Sequence, residues 1–481
     1  MQEFLPQYFN LTWIYWILAI AYGVTILSIV AVVISENRNP VKSLGWITVL
    51  LALPAIGIIL YLLFGRSIKG KRYISRRNRR KLKKHEKGSP FIPSQSDLSD
   101  ESAQEIKLGQ ALTGAPFYEG NNAQVFDNGY ENFSHLAEDI QRAEKYIYLQ
   151  FYIIASDDTG NRIADLLIEK ARQGLDIKII YDYIGSVKTK YSLFVRMKNA
   201  GIDVRPFFKV TLFSIGGRLN WRNHRKICVI DGKIGYIGGM NIANRYVTGG
   251  KFPMWRDLHL RVEGPILRSL NHSFAYDWNF MGQPLPAGLS MCDPTAQPEN
   301  IGMQLVTAGP TNQWHNIGLV FLKAIGNAKR SIFIQTPYFL PTEGLLRALQ
   351  AAALSNIDVR IMMPRRSDSV LLTHASNSYI KDCLRSGIKV YFFEAGMLHS
   401  KMIVIDDEFS TVGSSNFDFR SFEHNFESNL FIYSKEFNQR MKAQFYKDME
   451  NSTRILPYEW DHRRPLLKAY DSIMRLFAPI L

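Results

Sequence analysis

Cysteine is scarce in this chain. Three residues, Cys228, Cys292 and Cys383, stand in 481 positions, and no two have C-x-x-C spacing. That excludes a disulfide-stapled scaffold and a thiolate zinc site. Acidic residues are also in short supply, 43 against 58 Lys and Arg, so the formal net charge is +15. A balance of that sign points to an anionic partner: nucleic acid, a phosphorylated substrate or a membrane surface. Charged residues of either sign make up only 21% while apolar residues make up 46%, which excludes a disordered chain. Two stretches have no charge at all, residues 11–34 and 44–64. The start, MQEFLPQYFN, has no Lys or Arg, which argues against a cleaved signal peptide.

The uncharged runs are 24 and 21 residues long. At 1.5 Å per residue each is enough for a hydrocarbon core of about 30 Å. Trp13, Tyr15, Trp16, Trp46 and Tyr61 lie toward their ends, where amphipathic rings favour the interface. The expectation is an N-terminal two-helix transmembrane hairpin, residues 1–65, with a tight SENRNPVKS connection. Residues 65–87 then carry twelve Lys and Arg against Glu86, which is +11 of the +15 total. The positive-inside rule places this run, the chain that follows it and the N-terminus on the cytoplasmic side of a cell membrane. Anionic headgroups attract it by roughly 1 kcal/mol per basic residue. With a membrane tether so close, lipid is the nearer partner and no nucleic acid is expected. Residues 88–115 are rich in Ser, Pro, Asp and Gln and lack periodicity, so 66–115 reads as a basic and then polar linker.

The remainder, with room for about two domains, repeats itself. AEKYIYLQFY at 143–152 matches AKRSIFIQTP at 328–337, with Gln150 on Gln335. Each block follows a helical pattern (133–142; 317–327) and precedes a second helix (162–173; 344–354) and a short strand (176–181; 358–363). This alternation predicts parallel βαβ units. The fold class is therefore α/β, two pseudo-twofold-related domains at 116–300 and 301–481. Further on, HRKICVIDGKIGYIGGMN at 224–241 and HSKMIVIDDEFSTVGSSN at 399–416 both fit H-x-K-x4-D-x6-G-[GS]-x-N. Their offset of 175 holds to Arg245 and Arg420.

Residues two apart on a strand share a face, so His224 with Lys226 and His399 with Lys401 point together. An apolar stretch carries each strand into the core, and Asp231-Gly232 or Asp406-Asp407 turns it back. The returning strand ends in small residues that let a ligand approach the backbone, with Asn241, Asn416 and Ser414 as phosphate-binding candidates. Merged about a pseudo-dyad, the two copies suit a phosphodiester. Two Lys neutralise the nonbridging oxygens, one His attacks phosphorus and the other protonates the leaving alcohol. The chemistry needs no metal and no cofactor. The other eight histidines have no paired partner, and structural roles are expected for them.

The paired motif resembles the phospholipase D superfamily. The two apolar runs with ENRNP between them, the LPAIGIILYLLFGR end of the second, and SSNFDFRSFEHNFE after the second motif are similar to bacterial cardiolipin synthases. The resemblance spans nearly the whole chain. It implies transfer of a phosphatidyl group from one phosphatidylglycerol to another, giving cardiolipin and glycerol through a phosphohistidine. It implies a catalytic set of His224, Lys226, Asp231, His399, Lys401 and Asp406, with His224 as nucleophile. Gly239 stands where the superfamily often has Ser. The residues themselves leave other acceptors open, water or phosphatidylethanolamine among them. They also leave open a nuclease and a non-catalytic, membrane-anchored protein that binds anionic lipid. Two apolar stretches, residues 210–215 and 466–477, are further candidates for lipid contact.

Overall fold

The computed structural model describes residues 12–35, 40–61, 65, 74–85, 98–209, 221–292 and 294–478. The apolar stretch at 210–215 lies outside them. The described chain forms two compact units, the N-terminal helices and an α/β body.

In the first unit, Thr12–Ser35 is one continuous apolar helix, and Trp13–Ala31 within it is long and apolar enough to cross a membrane. The second apolar run departs from the expected single helix. Pro40–Ala52 and Pro54–Leu60 are separate helices. They part at Leu53, whose φ of −128° and ψ of 75° leave the helical region. Pro54 is the cause, because it lacks an N–H and restricts the residue before it. Gly57 then allows close approach, since a Cβ there would lie 2.7 Å from the Val49 carbonyl oxygen.

The body is built on one continuous sheet. Its first half contains β1 (Phe117–Phe126), β2 (Tyr146–Phe151), β3 (Asp176–Asp182), β4 (Asp203–Phe207), β5 (Ile227–Ile230), β6 (Ile234–Gly238) and β7 (His259–Glu263). Its second half contains β8 (Ile301–Ala308), β9 (Ser331–Gln335), β10 (Asp358–Pro364), β11 (Lys389–Phe393), β12 (Met402–Ile405), β13 (Phe409–Gly413) and β14 (Asn425–Tyr433). The strand order is β1-β7-β6-β5-β2-β3-β4 in one half and β8-β14-β13-β12-β9-β10-β11 in the other. Adding seven to each label of the first order gives the second. β2, β3 and β4 run parallel, as do β9, β10 and β11. The motif hairpins β5–β6 and β12–β13 add antiparallel strands to each set. Antiparallel pairing of β1 with β8 joins the halves.

Helices cover both faces. On β2, Ile147 and Leu149 pack into a core with Leu136 and Ile140 of the Gly129–Arg142 helix. Tyr146 and Tyr148 point the other way, against Leu270, Phe274 and Trp278 of the Leu267–Phe280 helix. Both faces are apolar because both are covered. Part of the stretch read as linker is structured. Arg76–His85 is a helix that docks Leu82 beside Ala275. Asp100–Thr113 is another, N-capped by Ser99 and ended by Gly114 at φ 77°. Its Ile106 is fully buried. Gly109 lets the helix seat on β8, where a Cβ would meet Gln304 at 2.3 Å. The helix escaped periodicity because it buries small and polar residues, Ser102, Glu105 and Gly109, around one isoleucine.

Candidate active site

The two histidines sit where the halves exchange short parallel bridges. Arg222–Asn223 pairs with the start of β14, and the next residue, His224, donates its N–H to the Phe426 carbonyl at 2.9 Å. Met397–Leu398 pairs with Trp255–Arg256, and His399 donates to the Arg256 carbonyl at 2.7 Å. Each imidazole thereby meets a carboxylate of the other half. His224 Nδ1 lies 3.0 Å from Glu427, and 3.0 Å from the Ser414 carbonyl oxygen. His399 Nδ1 lies 2.6 Å from Asp257. With Nδ1 engaged by an acceptor, Nε2 is the nitrogen left for a substrate.

Asp257 and Glu427 were not singled out from the sequence. They are equivalent, yet Asp257 comes 16 residues after Asn241 and Glu427 only 11 after Asn416, so the offset of 175 misses them. The signal that could have found them is one buried-strand acid after each motif, in WRDLHL and NFESNL.

The lysines are fully buried beside the histidines. Lys226 Nζ donates to the His224 carbonyl at 2.6 Å and lies 5.5 Å from the Tyr152 ring. Lys401 Nζ is 2.7 Å from His399 Nδ1 and 3.9 Å from Asp257. Burial, with the Lys401 charge nearby, holds Lys226 well below the usual lysine range. Burial brings Lys401 down to about 8, against the pull of Asp257 and Glu427. Burial also lowers His224, helped by the ammoniums of Lys226 and Lys401. Burial and Lys401 bring His399 to about 4. The exchanged contacts, His224 with Ser414 and Glu427 and His399 with Asp257, bring the two motifs together where the halves meet. Two buried ammoniums face two carboxylates already engaged by imidazoles, a setting that favours an entering anion.

The motif aspartates are not gathered with the other four. Asp231 and Asp406 lie at the turn end of their strands, seven residues beyond the histidines. The Asp231 carboxylate accepts from the N–H groups of Glu144, Lys145 and Tyr146 at 2.8, 2.8 and 2.9 Å. Asp406 does the same for Lys329, Arg330 and Ser331. Each ties the motif hairpin to the start of β2 or β9. The turns need positive φ at two positions in each copy, Asp231 and Gly232, then Asp406 and Asp407, which Gly and Asp tolerate.

The phosphate-binding candidates also have protein partners. Asn241 accepts from the Ile153 N–H at 3.0 Å and donates to the Tyr246 hydroxyl at 2.7 Å. Asn416 donates to Asp418 at 3.0 Å. The Ser414 hydroxyl donates to Glu427. Gly239, its counterpart, has no room for a side chain, since a Cβ would stand 2.1 Å from Asp257 Oδ1. A short acid packed on glycine's bare backbone in one half answers a longer acid held by serine in the other. Gln150 and Gln335, matched in the repeat, donate to Asp277 and Asp448. Among the unpaired histidines, His259 accepts from the Met240 N–H at 3.3 Å, and burial lowers it to about 3.

Comparison with known proteins follows the same lines. A family profile described as "Cardiolipin synthase, PLD-like domain" matches residues 136–278 and 321–449. Another, "Phospholipase_D-nuclease N-terminal", matches residues 23–66. A cardiolipin synthase of Geobacillus kaustophilus is 36% identical, covering 94% of this chain and 91% of its own length. The major cardiolipin synthase of Bacillus subtilis is 37% identical, covering 97% and 99%. Among solved structures, a phosphatidylserine synthase of Haemophilus influenzae has a TM-score of 0.58 at 14% identity, covering 78% of this chain and 99% of that one. That likeness supports the fold.

Proposed function

The chain belongs to the cardiolipin synthase family of phospholipase D-like proteins, and from that premise we propose how its site works. The reaction joins two phosphatidylglycerol molecules into cardiolipin and releases glycerol. The observation that carries the mechanism is the pairing of each imidazole Nδ1 with a buried carboxylate from the opposite half. In this reading it leaves both Nε2 atoms for one substrate phosphorus.

The phosphodiester of the first phosphatidylglycerol binds between Lys226 and Lys401. Its negative charge and Asp257 favour the imidazolium of His399, which is neutral in the empty site near neutral pH, so substrate binding brings a proton. His224 Nε2 attacks phosphorus as the bond to the glycerol oxygen breaks, and His399 gives that oxygen its proton. The result is a phosphatidyl-histidine and free glycerol. His399, now neutral, takes the proton from a hydroxyl of the second phosphatidylglycerol, whose oxygen displaces His224 and forms cardiolipin. The lysines stabilise charge on the nonbridging oxygens in both steps. The halves are the phospholipase D-like domains we place at 116–300 and 301–481.

The apolar N-terminal segments form a two-helix transmembrane hairpin in this reading, broken at Pro54. The +11 run after it keeps the catalytic body at the cytoplasmic face, against anionic lipid. The test is a lipid assay on purified protein with products separated by mass. Cardiolipin with one glycerol each is expected; phosphatidic acid alone would assign the transfer to water. Trapping divides the histidines. With a p-nitrophenyl phosphodiester, whose leaving group departs unaided, His399→Ala should still form acid-labile phosphohistidine and His224→Ala should not. Label on His399 in the His224→Ala protein would reverse the roles.

A further inference from the structure

The reaction brings two anions to one site. Lys226 and Lys401 are committed to the phosphate of the donor, and the phosphatidylglycerol that follows carries a phosphodiester of its own. A charge drawn out of bulk water needs an opposite charge to meet it. Six bonds separate the two phosphorus atoms of the product, roughly 7 Å when extended. With phosphorus on His224, the departing glycerol and then the incoming hydroxyl lie on the His399 side. The second phosphate therefore stands beyond His399, about one side-chain layer out.

Arg245 belongs to that layer. The His399 ring is bordered by Trp255, with centroids 5.4 Å apart, and by Tyr246 at 6.1 Å. Both aromatic residues are buried, and their rings meet edge to face at 5.5 Å. The Arg245 guanidinium carbon stands 5.0 Å from the Trp255 ring centroid and 5.5 Å from that of Tyr246. One aromatic wall thus adjoins both the proposed acid and the arginine. Asn241 anchors that wall by donating to the Tyr246 hydroxyl at 2.7 Å.

The Arg245 charge is not neutralised by an acid of its own. The side chain is partly withdrawn from water, where charges normally have a partner. Among the described residues no carboxylate forms an ion pair with it. Tyr246 is its hydrogen-bonding neighbour, and the acid that acts on it from further away is Asp368, whose carboxylate accepts from the Tyr338 hydroxyl. Aromatic faces hold a guanidinium in place without cancelling its charge, and its forked N–H groups suit a phosphodiester.

The pseudo-twofold breaks at this point. Arg245 and Arg420 hold the same place in the repeat, but with Asp257 matched to Glu427 the counterpart of Trp255 is Asn425. The ring beside His224 is instead Tyr152, at 5.0 Å. Donor and acceptor differ, and so do the two sides of the site.

We propose that Arg245, seated against Trp255 and Tyr246, binds the phosphodiester of the acceptor phosphatidylglycerol. This subsite rests on the reaction and the histidine roles given above. Holding the acceptor phosphate aims its free hydroxyl at the phosphatidyl-histidine, so Arg245 selects an anionic acceptor over glycerol or water.

The test is a competition in mixed micelles with the full chain. The donor is phosphatidyl-p-nitrophenol with deuterated acyl chains, and undeuterated phosphatidylglycerol and free glycerol compete as acceptors. Mass separates half-deuterated cardiolipin from deuterated phosphatidylglycerol. Both products arise from one phosphatidyl-enzyme, so a loss of folded protein or of the first step cancels from their ratio. The parent chain should favour cardiolipin. Arg245→Gln should lower the ratio of cardiolipin to phosphatidylglycerol at least tenfold, and Arg245→Lys, which keeps the charge, should retain most of it. A ratio unchanged in Arg245→Gln overturns the subsite. So does a ratio that Arg245→Lys lowers as far as Arg245→Gln does, because the charge is then not what selects. A parent chain that gives only phosphatidic acid refutes the reaction itself and the subsite with it. That result differs from a parent that makes cardiolipin with a ratio indifferent to Arg245.

Discussion

Two kinds of acid at the motifs do different work, and substitution separates them. Asp257 and Glu427 fix the orientation and tautomer of an imidazole and favour its charged form. Asp257→Asn and Glu427→Gln should leave folding intact and lower kcat by about 10²–10⁴, by analogy with loss of the orienting acid in other histidine sites. Asp231 and Asp406 instead hold three backbone N–H groups each. Asp231→Asn and Asp406→Asn should cost about 2–4 kcal/mol of stability. A thermal melt would show this, while turnover well below the melting temperature stays near the parent value. Equal losses of turnover in both pairs would contradict the distinction. The lysines set the pH limit. Lys401 must be charged to bind phosphate, and burial has brought it down to about 8. Its charge is lost as pH rises through that value, so kcat/KM should fall by up to tenfold per pH unit above 8. Lys401→Arg should move that fall to higher pH, even if its peak rate is lower.

At the scale of elements, the C-terminal helix is the odd one. Pro465–Phe477, which contains the lipid-contact candidate 466–477, packs on the Val370–Arg385 helix. Yet what it buries is polar. Asp471, 2% exposed, meets His374 at 2.7 Å and Arg463 at 2.9 Å. Leu466 and Leu476 remain 85% and 76% exposed, with Ile473 and Phe477 about half exposed. Leaving such side chains in water forgoes about 1.5–3 kcal/mol each relative to burying them. Arg475 is turned inward onto Asp382, and an exposed apolar face of this kind would suit a bilayer surface. A spin label at Leu476→Cys in nanodiscs should be relaxed by oxygen, which partitions into lipid, more than by an aqueous nickel chelate. The reverse preference would leave the face in water. The Asp100–Thr113 helix teaches a related lesson: glycine, serine and glutamate face its core, and only docking onto β8 makes that face visible.

Across the whole molecule, the internal duplication brings two copies of one motif together, and each is completed by the other half. Among the described residues, the carboxylate at each motif histidine comes from the opposite half, so each depends on the other half folding beside it. The continuous sheet, joined at β1 and β8, keeps them in register. The proposed placement of this body at the cytoplasmic face makes a prediction for the basic helix. Ser75→Cys should react with a membrane-impermeant maleimide only in inverted vesicles. Labelling of intact cells would reverse the topology.

The sequence by itself determined the class of fold, the duplication, the two copies of the His–Lys motif and the first apolar helix. Each is written in local patterns: periodicity, spacing and the absence of charge are properties of neighbouring residues. The strand-helix-strand alternation gave the parallel core, and the H-x-K spacing put each imidazole and ammonium on one side of an extended chain. The tertiary structure decided the rest. Pairing of His224 with Glu427 and of His399 with Asp257 depends on residues 203 and 142 positions apart, and the acids follow their motifs after connections of unequal length. The motif aspartates share the sequence pattern with the histidines and lysines but lie at the other end of the strand, because seven residues of extended chain carry them roughly 20 Å away. Local spacing fixes which side chains point together, and only packing of the two halves fixes what they meet.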